Sequence, residues 1–406
     1  MFKKFIDVAG WPRIIIGMFL MSLFGAAPLF GVSVAASLSN TLERFSMNGV
    51  LVLAMVPMVQ SGCGLNFGLP LGIIAGLLGA TISIEISPYI ASLISLAGID
   101  PYIMFNNKEA LSYLASICVF AAAICIAIPI AAVLGYFYGQ LLNRVKGDEM
   151  MIATYVGFSS VAFMCIAWLL IPFRNPTMIW GYGGAGLRTT ITVSGLWQRV
   201  LSNFLAITIG EKGKVFNWAS GTPGEDELVI KLGDFVYSTG QTVQMGTFVF
   251  PTGAFLFLAA MCFLVWLFMK TKTGSAMTAV GSNSEFAHAS GINVDRARII
   301  SVILSTILGA VGILVYQQSF GFIQLYTGPL MMAFPAVASI LLGGASVNKA
   351  SIWNVIVGAF LFQGILTMTP SVINNVLKSD MSEVIRIIVS NGMILYALTR
   401  KVQVKR

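Results

Sequence analysis

Residues 270–298, KTKTGSAMTAVGSNSEFAHASGINVDRAR, form a polar island between two long apolar segments. Within it, Ser282 and Glu285 have the S-x-x-E spacing of a capping box, in which two side chains satisfy free backbone N–H groups at a helix start. Gly291 follows, and glycine at that distance can take the left-handed conformation that ends a helix. The spacing predicts a helix of about two turns, roughly 12 Å long. Such a helix suits docking into a soluble partner; a capped connecting loop is the alternative.

The flanking segments belong to a chain that is strongly apolar throughout. Of its 406 residues 57% are hydrophobic and 10% are charged, with a mean hydropathy of +0.86. A water-soluble fold could not bury that much apolar surface, so the composition predicts an all-α polytopic membrane protein, one transmembrane domain over residues 1–406. Apolar runs of about 20 residues predict ten spans, near 12–36, 48–64, 68–86, 111–140, 150–171, 247–269, 298–318, 329–345, 351–369 and 382–399.

Basic residues predict the orientation of these spans. The two termini and the segments 141–149, 270–298 and 343–350 together hold 14 Lys and Arg residues against five acids. Cytoplasmic loops carry such an excess, so both termini and the polar island are expected in the cytoplasm. Orientation then accounts for the net charge of +8, and no nucleic-acid partner is needed.

The opposite side of the membrane is expected to hold one large extracytoplasmic insert, residues 172–246. Its segment 193–209 has apolar residues at near-helical spacing. We expect this segment either to lie flat on the membrane surface or to pack on the spans.

Residues 61–72, SGCGLNFGLPLG, are expected to interrupt a helix. Each glycine costs a helix about 1 kcal/mol relative to alanine, and this stretch holds four. Irregular backbone at membrane depth survives when it is buried in protein or lines a cavity. Two interpretations stay open: Asn66 and free amides face a solute, or neighbouring helices pack closely on the glycines, as at Gly72-x-x-x-Gly76.

Sequence motifs for catalysis or metal binding are missing. The five cysteines have no paired spacing, and His288, the one histidine, has no cluster of ligands around it. There is no G-x-x-x-x-G-K-[ST] motif, so an ATP site of that kind would belong to another polypeptide. Few charges fall inside the predicted spans, which argues against an ion-coupled carrier.

Several positions of the polar island resemble a known loop. Thr273-Gly274, Ala279-Val280-Gly281, Asn283, Ala287 and Ser290-Gly291-Ile292-Asn293-Val294 are similar to the cytoplasmic coupling loop of ABC importer permeases in the ribose, branched-chain amino acid and nucleoside branch. That loop typically reads G-x-N-x-x-A-A-x-x-S-G-I-N-V. Leu341 to Ser346, LLGGAS, is similar to the turn before the ninth span of those permeases.

The glycine-rich stretch departs from the sugar permeases of that branch. They typically read G-G-I-D-L-S-V-G, whereas this chain has GCGLNFG at 62–68 and lacks the acidic residue. Asn66-Phe67-Gly68 is closer to the N-I-G of nucleoside-type permeases. The resemblance therefore implies a sugar or a nucleoside as solute, with a branched-chain amino acid as the alternative.

The resemblance implies a permease subunit of an ATP-driven importer in a bacterial inner membrane. Its expected partners are ABC ATPase subunits that hold ATP and Mg²⁺, a second permease of the same or a paralogous chain, an extracytoplasmic solute-binding protein that the insert could contact, and the lipid bilayer. A self-sufficient secondary carrier or channel is the rival class. The residues expected to couple to the ATPase are Ser282, Glu285, Phe286, His288 and Gly291. Those expected on the solute path are Gly64, Asn66, Phe67, Gln317, Gln318 and Gln363, the glutamines also fitting hydrogen bonds between helices.

Overall fold

The computed structural model describes residues 11–98, 100, 102–105, 108–145, 147–179, 186–204, 206–217, 222–232, 235–238, 248–346, 349–377 and 381–399. Over these residues the fold is mainly helical. The helices are α1 Trp11–Ala26, continued by a 3-10 turn at Ala27–Phe30, α2 Val34–Leu53, α3 Met55–Gln60, α4 Leu69–Leu96, α5 Tyr113–Arg144, α6 Glu149–Leu170, α7 Thr252–Lys270, α8 Lys272–Ser282, α9 Ser284–Ala289, α10 Val294–Phe320, α11 Gly328–Leu342, α12 Ile352–Leu377 and α13 Ser382–Thr399.

The predicted all-α membrane fold is confirmed. Eight helical segments of the described chain are long and apolar enough to cross a membrane, and two shorter apolar helices, Gly328–Leu342 and Val384–Tyr396, add to them. Together they occupy the ten regions that hydropathy predicts.

Two neighbouring boundary predictions are wrong, because the first candidate span ends at Phe30 rather than near residue 36 and the second begins earlier than predicted. The second span does not begin near residue 48, because α2 starts at Val34, where the Ser33 hydroxyl accepts the N–H of Ala36. The supposed loop 37–47 is therefore helical, and Glu43 and Arg44 lie within a candidate span. The expectation of almost no charge inside the spans is corrected as well. Hydropathy misses this half of the helix because its polar face lines an internal cavity rather than lipid.

Helix α10 lies at the centre of the bundle and packs closely on α4. A Cβ added at Gly72 would come within 2.7 Å of the Thr306 carbonyl oxygen, and one at Gly76 within 2.5 Å of the Ala310 carbonyl oxygen. Side chains larger than hydrogen at these two positions would push the helices apart. The close-packing interpretation of the Gly72-x-x-x-Gly76 pair is confirmed.

The strands lie in the connections between spans. Antiparallel β1 (Tyr102–Phe105) and β2 (Lys108–Leu111) form a hairpin, and β3 (Thr190–Thr192) pairs with β8 (Phe322–Gln324), which follows α10. A four-stranded antiparallel sheet has the order β6-β5-β4-β7. Its strands are β4 Ile207–Asn217, β5 Thr222–Leu232, β6 Phe235–Ser238 and β7 Phe248–Phe250.

Segment 193–209 packs on the spans, which was one of its two expected positions. It is not helical: residues 194–204 form successive turns and β4 begins at Ile207. Trp197 is fully buried, with its ring 5.7 Å from that of Phe120 on α5, and the Tyr113 hydroxyl donates to the Val200 carbonyl. We call residues 194–204 the buried turn segment.

Candidate coupling segment and solute path

The polar island folds into two short helices, α8 and α9, which meet at Asn283. We call these two helices the coupling segment. The capping-box prediction for Ser282 is wrong in detail. Ser282 ends α8, and its hydroxyl donates to the Thr278 carbonyl at 2.9 Å. Asn283 caps α9 instead, with its Oδ1 accepting the N–H groups of Glu285 and Phe286 at 3.1 and 3.0 Å. A serine hydroxyl can bond the carbonyl four residues earlier, whereas the asparagine carboxamide reaches forward to two free N–H groups.

The predicted end of α9 at Gly291 is confirmed. Gly291 has a φ of +82°, the left-handed conformation that glycine tolerates. The Gly291 N–H donates to the His288 carbonyl and the Ile292 N–H to the Ala287 carbonyl, both at 3.0 Å. This is the paired hydrogen-bond pattern of a Schellman motif. Ile292 then packs against the small cluster around Ala287.

Helix α9 is anchored on one side and free on the other. Ala287 is 1% exposed and packs with Met277 and Val280 of α8, whereas Phe286 is 71% exposed. All five residues predicted to couple to an ATPase are exposed. A groove of about 730 Å³ runs beside the helix and is lined by Ser284, Glu285, His288, Gly291, Ile292, Asn293, Val294, Asp295 and Arg298.

Helix α8 rests directly on the break between α3 and α4. A Cβ on Gly281 would lie 2.1 Å from the Gln60 carbonyl oxygen, so only glycine fits there. Gly62 and Gly64 both have a φ of +78°. Residues 61–68, which we call the joint, are thus an irregular connection that touches the coupling segment.

Asn66 lies inside the joint, and both polar atoms of its side-chain amide form hydrogen bonds within the protein. It is 1% exposed; its Nδ2 donates to the Ser305 hydroxyl at 2.8 Å, and its Oδ1 accepts from the Tyr138 hydroxyl at 3.2 Å. Ser305 in turn donates to the Ala54 carbonyl, at the bend between α2 and α3, at 2.6 Å. The joint is therefore tied to α10, α5 and the bend. Contact of Asn66 with a solute stays a prediction.

The neighbours of Asn66 have different surroundings. Gly64 is buried in the joint, and Phe67 is half-buried, with its ring 6.2 Å from that of Phe334 on α11. Phe67 therefore takes part in packing between helices in this conformation, and stacking on a solute also stays a prediction.

Gln317 and Gln318 lie far from Asn66. Twelve residues of α10, roughly 18 Å, separate Ser305 from Gln317. Gln317 is 1% exposed, and neither atom of its amide has a hydrogen-bond partner within the described part of the chain. Gln363 is buried one helical turn from Thr367, whose hydroxyl donates to its carbonyl at 2.7 Å. The predicted path residues do not form one cluster.

Gln318 holds the buried turn segment in place. Its backbone carbonyl accepts the Arg199 N–H at 2.7 Å, and its Oε1 accepts the Leu201 N–H at 3.1 Å. Its Nε2 donates to the Ser319 and Ser202 hydroxyls at 2.5 and 3.4 Å. The hydrogen-bonding interpretation of this glutamine is supported directly by these contacts.

A polar cavity near the end of α10 was missed by the sequence reasoning. It measures about 310 Å³ and lies between α2, α10, α12, α13 and the buried turn segment. The missing signal was helical spacing, because Asn40, Glu43, Arg44 and Met47 fall on one face once residues 37–47 are read as a helix. The cavity is lined by Asn40, Glu43, Arg44, Met47, Arg199, Ser319, Phe320, Leu366, Thr367, Pro370, Ser371, Asn374 and Arg386.

Comparison with known proteins gives a family match over most of the chain. The family described as the branched-chain amino acid transport system permease component matches residues 13–398. The autoinducer 2 import system permease protein LsrC of Escherichia coli O157:H7 and that of Shigella flexneri are each 32% identical over 111 residues, 27% of this chain. The protein of that name from Klebsiella pneumoniae is 32% identical over 108 residues. The matched stretch spans about a third of these relatives' length. No solved structure matches.

Proposed function

The chain belongs to the branched-chain amino acid transport system permease family and is a multi-pass ABC importer permease of the bacterial inner membrane; we propose that it conducts a small polar solute, a sugar or a nucleoside. In this proposal partner ATPase subunits bind and hydrolyse ATP with Mg²⁺. A second permease subunit completes the membrane complex, and an extracytoplasmic protein delivers the solute.

One observation carries the proposal: helix α9 is anchored through Ala287 while Phe286 stands exposed beside an open groove. A helix capped at both ends keeps its shape when a partner pulls on it. A large exposed aromatic side chain on such a helix is typical of the residues that dominate an interface. We propose that Ser282, Glu285, Phe286, His288 and Gly291 form the surface that the ATPase contacts.

The contact of Gly281 with the Gln60–Gly62 backbone supports a route for the movement. A displacement of α9 moves α8 with it, since the two helices share the apolar cluster around Met277. Helix α8 then displaces the joint, which Asn66 ties to α10 through Ser305. The bundle would thereby open toward the cytoplasm.

The choice of solute rests on the lining of the polar cavity and on the resemblance at the joint. Nine of the thirteen lining residues are polar or charged, which suits a solute with many oxygen atoms. The relatives import autoinducer 2, as their name states, and the family name refers to branched-chain amino acids. A branched-chain amino acid is the alternative substrate. We also propose that the insert 172–246 faces the solute-binding protein.

The test is a pull-down of the tagged chain from its native membrane in mild detergent, followed by mass spectrometry. Wild type should bring down an ATP-binding subunit, and Gly291→Pro should deplete it. Proline fixes φ near −65° and lacks the N–H that Gly291 donates to His288, so it cannot end α9 in the same way. Gly31→Pro is the matched control, because Gly31 is also left-handed, with a φ of +71°, and lies at the other end of the bundle.

Two results would decide against the proposal. If the chain comes down alone, and the purified chain moves solute across liposomes without ATP, it is a self-sufficient carrier or channel. If Gly291→Pro and Gly31→Pro retain the same amount of ATPase as wild type, the docking role of α9 is excluded.

A further inference from the structure

The polar cavity is one of two that meet at a single ion pair. A second cavity, of about 200 Å³, shares Asn40, Glu43 and Arg199 with the first and extends toward Val249 of β7. Arg199 Nε lies 3.9 Å from Glu43 Oε1, with the arginine side chain 55% and the glutamate side chain 25% exposed. The pair is therefore long, partly open, and placed where the two cavities join.

The backbone at Arg199 is strained. Its φ is +55°, and no other non-glycine residue among the described ones has a positive φ. Residues in that region of the Ramachandran plot persist only where their surroundings hold them, and they concentrate at functional sites. Here Gln318 holds both sides, by accepting the N–H of Arg199 and that of Leu201. These hydrogen bonds fix the backbone at Arg199, whose side chain lines both cavities.

The chemistry of the pair suits a solute rich in hydroxyl groups. A hydroxyl group can donate its hydrogen to the Glu43 carboxylate while its oxygen accepts from the Arg199 guanidinium. A hydroxyl-rich solute thus satisfies both charges when it separates them. Arg44 and Arg386 also line the larger cavity, and their guanidinium groups can donate to further hydroxyl or ring oxygens of the same solute.

The remaining lining agrees with a hydroxyl-rich solute. Asn40 and Asn374 offer both donors and acceptors, and Thr367 and Ser371 add hydroxyl groups. The apolar lining residues are Met47, Phe320, Leu366 and Pro370. A branched-chain amino acid could pair its ammonium with Glu43 and its carboxylate with Arg199, but its aliphatic side chain would then displace water from a largely polar wall, which is unfavourable.

We propose that Glu43 and Arg199 form the entry site of the solute path at the end of the bundle opposite the coupling segment, and that they bind hydroxyl groups of a sugar or nucleoside. The solute replaces the direct contact between the two side chains and so connects the cavities. This inference rests on the proposed function for its direction of transport, but binding at the site requires no ATPase.

The first experiment measures binding to the purified full-length chain in detergent. Its thermal stability is followed against millimolar concentrations of ribose, adenosine and leucine, since a ligand that binds the folded state stabilises it in a saturable way. We expect saturable stabilisation by ribose or adenosine and none by leucine. Glu43→Gln and Arg199→Gln should each raise the apparent Kd at least tenfold. The apparent Kd of Glu43→Asp and that of Arg199→Lys should fall between the values of the glutamine variants and the wild-type value. Arg174→Gln, which removes an exposed arginine outside the cavities, should bind as wild type does.

The second experiment measures uptake of the same probes by the complete complex in proteoliposomes. The two glutamine variants should show at least a tenfold lower kcat/KM while ATPase subunits remain bound. Ser371→Leu, which narrows the larger cavity and leaves both members of the ion pair in place, should also raise the apparent Kd. It keeps the test decisive if Arg199→Gln does not fold.

Three outcomes overturn the inference: unchanged Kd and uptake in Glu43→Gln and Ser371→Leu, saturable binding of leucine alone, or equal losses in Arg174→Gln. Binding that depends on the pair, in a chain that recovers no ATPase, would leave the site in place and remove the importer mechanism. If the complex couples ATP hydrolysis to uptake but the variants keep the wild-type Kd, the importer mechanism stands and the Glu43–Arg199 site is excluded.

Discussion

Gly62 and Gly281 meet backbone to backbone: a Cβ built on Gly62 would lie 3.1 Å from the Gly281 Cα. This contact joins the coupling segment, on α8, to the joint between α3 and α4. Because both residues lack a side chain, nothing flexible lies between the two backbones to absorb a displacement. A movement that starts at α9 is therefore expected to reach the joint.

Gly281→Ala tests this contact. The added methyl group would lie 2.1 Å from the Gln60 carbonyl oxygen, and overpacking of this kind costs about 1–3 kcal/mol. We expect α8 to move off the joint, so that less solute is taken up per ATP hydrolysed. Gly17→Ala is the control, since nothing lies within 4 Å of a Cβ at Gly17. Equal uptake per ATP in Gly281→Ala and wild type would show that the contact does not transmit the movement.

Cys63 reports on the same joint. It is 2% exposed, and burial raises the pKa of its thiol, so the reactive thiolate is scarce at neutral pH. In a variant that retains Cys63 as its one cysteine, maleimide labelling should be slow. Gly281→Ala added to that variant should accelerate it severalfold, which mass spectrometry can follow. Fast labelling without Gly281→Ala would contradict a closed joint.

Phe286→Ala tests the docking surface. The side chain is 71% exposed, so its removal should leave folding unchanged. Loss of a central aromatic contact costs an interface about 2 kcal/mol, or roughly 30-fold in Kd. Titration of purified ATPase onto the permease in nanodiscs measures this affinity. Phe163→Ala, at a site 69% exposed on a membrane-spanning helix, should keep the wild-type Kd.

Asn66→Leu separates packing from solute contact. Ser305 and Tyr138 both lose their hydrogen bonds to this side chain, and a buried polar group without a partner costs about 1–3 kcal/mol. We expect a lower melting temperature with the ATPase still bound. A raised KM for uptake in addition would place Asn66 on the solute path, whereas an unchanged KM would assign it to packing alone.

Gln318→Leu should release the buried turn segment. The Leu201 N–H then lacks its acceptor, at a cost of about 1–3 kcal/mol, and Arg199 is no longer held from both sides. The expected result is weaker solute binding together with a lower melting temperature. Gln318→Glu keeps the acceptor oxygen and should preserve the hydrogen bond to Leu201. If both variants bind as wild type does, the strain at Arg199 is held by other contacts.

The ion pair of Arg298 with Glu149 joins the second turn of α10 to the first turn of α6. Nη1 and Oε1 are 3.2 Å apart, with the two side chains 13% and 14% exposed. Arg298→Met leaves a carboxylate in a largely buried place and should lower the free energy of unfolding by about 3 kcal/mol. The double variant Arg298→Met/Glu149→Met should lose less than the sum of the two single variants. If the losses measured by chemical denaturation are additive, the interaction between the two side chains contributes nothing to the free energy of unfolding.

Local sequence signals were sufficient to locate the regions of the spans, although not the start of α2. Ten apolar regions were predictable because each span needs about 20 apolar residues, and the left-handed Gly291 was predictable because a helix end favours glycine. The cap of α9 was misplaced by one residue. Ser282 and Asn283 are both good capping residues, and only the three-dimensional course of α8 decides which of them has its side chain free.

The site residues depended on tertiary structure. Asn66 is conspicuous in the sequence, yet its partners Ser305 and Tyr138 are 239 and 72 residues away. The Glu43–Arg199 pair joins residues of a helix and of a turn segment that are distant along the chain, and hydropathy had placed Glu43 in a loop. Composition alone determined that the chain crosses a membrane, because lipid is a solvent that each segment meets by itself. Which polar groups face one another was decided only by the packing of the helices, because such pairs are made between segments and leave no periodic trace in either one.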